Sequence, residues 1–416
     1  MANTNIAYSQ QKDPFYKKFL SLWAIIYVLL YICTSQFTPS ILFMQKWVIW
    51  FGKKIINLPN LEKITMTGSG DTTYDYVLLL FIFILSIILS VIISVADHKR
   101  KNYQQLYLFT IVLARYYVAF TMLVYGFAKV FQGQFPSLAY YSLEKKFGDM
   151  SPMGVLWTFM ETSRAYTFFG GLMEVSGGLL LLFRRTKTLG ALVAVAVMIN
   201  VAILNFAYDV PVKIFSTNIV LLCIFILTYE WKKLYNFFIL HKSEIINYNK
   251  LRVRKKWMLI TLRSVKGLLI AYLLYMFFIT PLMKNPDETV PLEGVYSTDV
   301  FVLNNDTLPA NSWNTRRWNK MYIASSEGLN VVRKENDNTW YKSKIDSVKK
   351  TVVLHTNDDS LTAFANFRYD LTKDTLFLNG KIGSDSAKII FTRKTKNDYP
   401  LIKRGFHWVN EYPYNR

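Results

Sequence analysis

"YVLLLFIFILSIILSVIISVA", residues 76–96, runs from end to end without a charged side chain. It exceeds the roughly 18 apolar residues that an α-helix needs to cross a bilayer. The class indicated is a membrane protein. Working outward from this stretch, six more runs are largely apolar, at about 19–37, 106–131, 166–183, 188–208, 213–230 and 260–282. Seven spans are expected.

The whole composition agrees. Of 416 residues, 52% are hydrophobic and only 19% are charged, which lies on the membrane side of the globular range. The formal net charge of +21 would suit a nucleic-acid partner if it formed one continuous basic face. Instead much of it sits beside the apolar runs, in "YKK" (16–18), "DHKRK" (97–101), "RRTK" (184–187) and "RVRKK" (252–256). That is the positive-inside pattern, so the expected partner is the lipid bilayer and no nucleic acid is expected. An N-terminus in the cytoplasm puts 97–105, 184–187 and 231–259 inside and leaves 38–75 and 132–165 outside. The expected location is the cytoplasmic (inner) membrane, with the C-terminus in the periplasm. Cys33 and Cys223 both lie inside apolar runs and offer no disulfide framework or CxxC pair. "YICTSQ" after the first run lacks a small-x-small cleavage site, so that run reads as an uncleaved span.

Two outer segments have helical character. "QKWVIWFGKKIINL" (45–58) brings Trp47, Trp50, Phe51 and Ile55 near one face, which suits either a helix lying in the membrane interface or a short packed helix. "SPMGVLWTFMETS" (151–163) begins with a capping Ser151 and with Pro152 at the first helical position.

After "TPLMKNPDETVP" the chain turns polar and alternating. Eight stretches, from "VYSTDVFVL" to "AKIIFTRK", read as strands separated by turn signals such as "NND", "SEG" and "NG". Eight short strands in series predict an antiparallel barrel or sandwich, with a small up-and-down barrel preferred. His355 and His407 stand apart from any catalytic set.

Within the spans, "RYYVAFTMLVYGFAK" (115–129) carries a cation at each end. Charges in spans are costly and need partners. At 100° per residue Arg115, Met122, Gly126 and Lys129 share one broad face. The next span offers Glu174, with Gly170, Glu174 and Gly178 repeating every four residues to smooth a helix face. Counting about 1.5 Å per residue from positions 106 and 166, Arg115 and Glu174 differ in depth by only about 5 Å in a core about 30 Å thick. The expected ion pair is therefore Arg115 with Glu174. Near the outer end, Lys129 is expected to meet Asn200, Asn205, Asp209 and Lys213 of "NVAILNFAYDVPVK", where Asn205 and Asp209 are spaced i, i+4.

At these residues the chain resembles the DoxX/DoxD-like membrane proteins. The likeness lies in "LARYYVAFTMLVYGFAKVF" (113–131) followed by "GGLMEVSGGLLLLF" (170–183), with Arg115, Gly126, Lys129, Glu174, Gly177 and Gly178 at the family's positions, and covers about 110–230. The ending "RGFHWVNEYPYNR" (404–416) is similar to that of long Bacteroidetes-type members with an outer domain. The resemblance implies a four-helix membrane unit over 106–230. Around it lie an N-terminal segment, 1–105, with two spans, a basic loop and last span over 231–283, and an extracytoplasmic β domain over 284–416. It further implies a redox-linked membrane subunit, handling a quinone or a sulfur species. Arg115 and Lys129 would hold the ligand and Glu174 would move protons, with electrons from a cofactor or a membrane or periplasmic partner protein. The residues leave two other readings open: a non-enzymatic envelope anchor or sensor whose β domain binds a partner or ligand, and a small-molecule transporter. Whether the chain is an enzyme stays open at this point.

Overall fold

The computed structural model describes residues 14–35, 42–62, 68–136 and 138–242, scattered positions between 260 and 275, and 290–415 apart from short gaps at 291, 311–314, 326, 334–336 and 357–362. It divides into two compact units. The first comprises Met1–Phe135, Ser151–Trp157 and Ser163–Pro281, and the second Pro136–Met150, Thr158–Thr162 and Leu282–Arg416.

The helical unit opens with α1 (Phe15–Thr34), whose buried residues Lys18, Leu22, Ile25, Val28, Tyr31 and Ile32 follow helical spacing. Next comes α2 (Leu42–Lys54). Its buried face is Val48 and Phe51, packed with Leu61, Tyr74 and Val77, while Trp47 and Trp50 stay exposed. Of the two readings of this segment, packing on a neighbouring helix describes Phe51, and Trp47 and Trp50 point elsewhere. The quoted apolar stretch lies in α3 (Thr73–Ala96), started by a capping box between Thr72 and Asp75. Ser86, Ser90 and Ser94 are buried along one side of it. The Ser86 and Ser90 hydroxyls donate to backbone carbonyls one turn back, at 2.6 Å each, whereas the buried Ser94 hydroxyl has no hydrogen-bond partner.

After α4 (Gln104–Val130) come α5 (Tyr140–Glu144) and α6 (Pro152–Thr162), the latter capped by Ser151, whose Oγ accepts from Gly154 N at 3.1 Å. Then follow α7 (Arg164–Leu182), α8 (Lys187–Ala207), α9 (Lys213–Thr228) and α10 (Trp231–Phe238). Glycines fix how α7 approaches its neighbours. A Cβ on Gly126 would lie 2.9 Å from the Gly171 carbonyl, one on Gly178 would lie 2.9 Å from Leu123, and one on Gly190 would lie 2.7 Å from Leu181 N. Only glycine permits these approaches. Gly170, expected on the seam, has open space around it, and Gly171 takes its place. The buried positions Gly171, Glu174, Val175, Gly178 and Leu182 follow an i, i+3, i+4, i+7 stripe, whereas a strict four-residue repeat drifts off the face.

Among the described residues five helices, α1, α3, α4, α7 and α8, are long and apolar enough to cross a membrane. A sixth crossing follows if α9 and α10, bent by 79° at their junction, count as one broken span. The expected seventh span, 260–282, the basic cluster 252–256 and the linker before the β domain lie almost wholly outside the described residues.

The second unit is built on a β-barrel, as expected. Strands β1 (Gly294–Leu303), β2 (Asp306–Thr307), β3 (Lys320–Ile323), β4 (Gly328–Val332), β5 (Asn338–Asp346), β6 (Thr351–His355), β7 (Ala363–Thr372), β8 (Thr375–Ile382) and β9 (Asp385–Lys394) form an antiparallel sheet. β1 pairs with both β3 and β9, closing eight strands into an up-and-down barrel, while β2 only extends a hairpin from β1. Closure removes the free edges. Alternate residues point inward, such as Ala365, Phe367 and Tyr369 on β7, and Ala387, Ile389 and Phe391 on β9. Tyr296, Phe301, Trp318, Phe367 and Phe391 fill the interior, with Trp318 edge-on to Phe367 at 5.8 Å. The gap beside Trp318, Leu354 and Leu378 has room for about one water-sized sphere.

Candidate functional site

α4 and α7 run antiparallel, and the glycine contacts set their register. Gly126 faces Gly171 and Val175, Met122 faces Gly177, and Leu123 faces Gly178. Glu174 is thereby level with the C-terminal turns of α4, where Lys129 waits on the same buried face. The Lys129 Nζ donates to both carboxylate oxygens of Glu174, at 2.8 and 2.9 Å. The side chains keep only 11% and 4% of their exposure. Such a pair recovers its desolvation cost only with good geometry, and two short hydrogen bonds from one ammonium supply it. The Tyr125 ring lies beside them, its centroid 5.9 Å from Nζ, and Phe215 lies 5.9 Å from Tyr125.

The expected Arg115–Glu174 pair is thus corrected: Glu174 takes Lys129 instead. The same register puts Arg115 level with Arg184 at the far end of α7, about 15 Å along the axis from Glu174. The depth reckoning failed because it started from the edges of apolar runs and assumed equal spans. α4 has 27 residues and α7 has 19, so depths measured from opposite ends do not add up to one core thickness. Arg115 is buried and packs its guanidinium over the Tyr116 ring, 4.9 Å from the centroid.

The expected outer cluster is only partly assembled. Lys213 Nζ meets Asp209 Oδ1 at 2.7 Å, but Asp209 is 80% exposed. Asn205 is buried, with its Nδ2 lacking a hydrogen-bond partner, and Asn200 is exposed. Lys129 turns to Glu174 rather than to these groups. A residue missed by the sequence reading organises them: Asp71 accepts from the backbone N–H of Lys213 at 2.7 Å and of Ile214 at 3.0 Å, capping α9. Asp71 also lies 3.9 Å from Lys213 Nζ. Asn218 on α9 accepts from Tyr27 OH at 2.8 Å and donates to the Ile214 carbonyl at 2.9 Å. The sequence reading did not single out Asn218.

A second polar cluster belongs to the barrel unit. Glu144, at the end of α5, pairs with Lys320 of β3 and accepts from Tyr399 OH at 2.5 Å. Tyr140 packs with Val295 and Tyr322, so α5 lies against the barrel wall. Burial pushes the Glu144 carboxyl up, but the hydrogen bonds from Lys320 and Tyr399 and the nearby lysine charges outweigh it and hold it below the ordinary value. Burial is the first cause, and the Glu144 charge a second, of the Tyr322 phenol's rise to about 12. Among the described residues no group of three His, Cys, Asp or Glu side chains is placed to hold a metal ion.

Fold and site together define a polytopic helical membrane protein that carries a closed β-barrel. No protein-family model matches the chain, and no solved structure matches it. It is 32% identical over 124 residues to the uncharacterized protein YwoB of Bacillus subtilis (strain 168), a match covering 30% of this chain and 79% of YwoB. The chain belongs to the family of YwoB.

Proposed function

We propose that this is a DoxX/DoxD-like protein of the cytoplasmic membrane whose helical unit is a redox-linked subunit with a quinone site at Lys129 and Glu174. The observation that carries the reading is the buried pair itself. An ammonium has three N–H groups, and Glu174 takes two of them. The third can donate to a neutral carbonyl oxygen, so a quinone can bind without breaking the pair, whereas a sulfur oxyanion would bring a second negative charge beside a carboxylate that already lies 2.8 Å from the same ammonium. Tyr125 and Phe215 supply aromatic surface beside it. Reduction of a quinone takes up two protons, and Glu174 is the acid–base group at hand. The electrons come from a partner oxidoreductase, which makes the chain a subunit rather than a complete enzyme. The test is co-purification. Full-length protein extracted in mild detergent should retain quinone in organic extracts, and protein free of quinone after such extraction would speak against the reading.

A second reading has its own support. Residues 136–150 leave the end of α4 yet belong to the barrel unit. For that segment and the barrel to share one side of the membrane, the chain must cross an even number of times between them. On this reading α7, α8 and the bent pair α9–α10 are three crossings, and the expected span 260–282 would be the fourth that brings the barrel to the side of residues 136–150. With the basic turns in the cytoplasm, the barrel is periplasmic. A closed barrel suits an envelope anchor that presents its outer wall to a protein partner.

A further inference from the structure

α10 begins at the level where a spanning helix ends. Lys187 is the first residue of α8, a helix long and apolar enough to cross a membrane, so it marks a boundary of the hydrocarbon core. Its Nζ lies 2.7 Å from a carboxylate oxygen of Glu230, the residue just before α10, and 4.6 Å from the centre of the Tyr229 ring. Thr228, which ends α9, shares a 2.6 Å hydrogen bond with Tyr107 in the first turn of α4. Three helix ends therefore meet at one level, and the crossing made by α9 is finished by Glu230. There the chain bends by 79°, which turns α10 nearly into the plane of the membrane.

The eight residues of α10, "WKKLYNFF", divide by face. At about 100° per residue Trp231, Leu234, Tyr235 and Phe238 fall within about a third of the circumference, while Lys232, Lys233 and Asn236 fill the opposite side. No residue of the helix is buried, and Trp231, Tyr235 and Phe238 are 66%, 43% and 56% exposed. The aromatic face is thus not spent on packing the bundle, and Trp231 stacks on Tyr235 at 6.4 Å. Lys233, on the basic side, lies 3.0 Å from the second oxygen of Glu230. Tryptophan and tyrosine rings favour the boundary between acyl chains and headgroups, and lysines on the opposite face favour anionic headgroups.

We propose that α10 lies in the membrane interface of the leaflet at the Lys187 end, with Trp231, Leu234, Tyr235 and Phe238 in the acyl boundary and its lysines among anionic phospholipid headgroups. The Glu230 carboxylate, gripped by Lys187 and Lys233, fixes the turn that lays the helix down. α9 then makes its crossing by itself. The inference depends only on the helices spanning a bilayer, not on the quinone reading.

The test is spin labelling of the full-length protein in nanodiscs, in a Cys33→Ser background; Cys223 is fully buried and out of reach of the reagent. Single labels go on Tyr235→Cys, Phe238→Cys, Lys232→Cys and Asn236→Cys, all on a helix without buried residues, so that labelling leaves the fold in place. Labels at 235 and 238 should collide with dissolved oxygen several-fold more often than with a water-soluble nickel chelate, and labels at 232 and 236 should show the reverse. Adding phosphatidylglycerol to phosphatidylcholine discs should draw the labels at 235 and 238 deeper. Nickel access at all four sites would put the helix in water. Shielding of 235 and 238 from both reagents would mean that protein covers the face, and spin–spin broadening there would identify a second copy. Each of these results would overturn the proposal, and a depth indifferent to phosphatidylglycerol would overturn the headgroup contact.

Discussion

Lys129 and Glu174 carry opposite charges into a layer where neither could stay alone. Removing one should leave the other buried without a partner, at a cost of about 3 to 5 kcal/mol, whereas removing both should cost much less. Thermal unfolding in detergent of Lys129→Met, Glu174→Leu and the double variant Lys129→Met/Glu174→Leu should show this non-additivity; additive losses would mean that the two do not interact. That charged residues sat inside the spans could be read directly from the chain, and so could the shared face of Arg115, Met122, Gly126 and Lys129, all of which are buried. Their pairing could not. It depends on the axial register of two helices, which side-chain periodicity does not encode. Asp71 was missed for a related reason: its role is to cap a helix that starts 142 residues later in the chain.

At the level of elements, the α4–α7 contact rests on particular glycines. A Cβ at Gly171 would stand 2.6 Å from the Gly126 carbonyl oxygen and 2.8 Å from the Lys129 Cβ, so Gly171→Ala must push the helices apart beside the ion pair. The expected destabilisation is about 1–3 kcal/mol, typical of overpacking. Gly170→Ala meets open space and should be neutral or stabilising by up to about 1 kcal/mol from helix propensity. Comparing the two melting temperatures checks the seam, and equal effects would contradict it. The strands were more legible than the helix seam, because a period of two needs only the local alternation of side chains, and all eight predicted stretches lie in the barrel. The role of α5 was not legible at all, since Glu144 and its partner Lys320 are 176 residues apart. The α5 clasp should respond to pH. A carboxyl held below its ordinary value of 4.5 stabilises the folded form fully above that value and loses the effect as pH falls through its lowered folded value. The gap in melting temperature between wild type and Glu144→Gln should therefore be constant from pH 7 to 5 and close in more acidic buffer. A gap independent of pH down to pH 2 would remove the ionised carboxylate from the account.

Across the whole molecule, the apolar runs set a membrane class before any contact is known, and the basic clusters lead to an expected orientation that a reporter can test. An export-dependent reporter fused after Arg416 should be active and a cytoplasm-only reporter silent; the reverse would place the barrel inside the cell. The helical unit then reduces to one chemical claim, that the Lys129–Glu174 pair receives a quinone carbonyl. The direct measurement is a titration of the purified full-length protein with a soluble ubiquinone analogue, followed by fluorescence quenching, for wild type and for Lys129→Met/Glu174→Leu after melting has shown the variant to be folded. Saturable binding by wild type and at least a tenfold weaker affinity in the folded variant, the loss of one hydrogen bond to a charged donor, is the predicted result. Equal affinities in the two proteins, or no saturable binding by wild type, would contradict it.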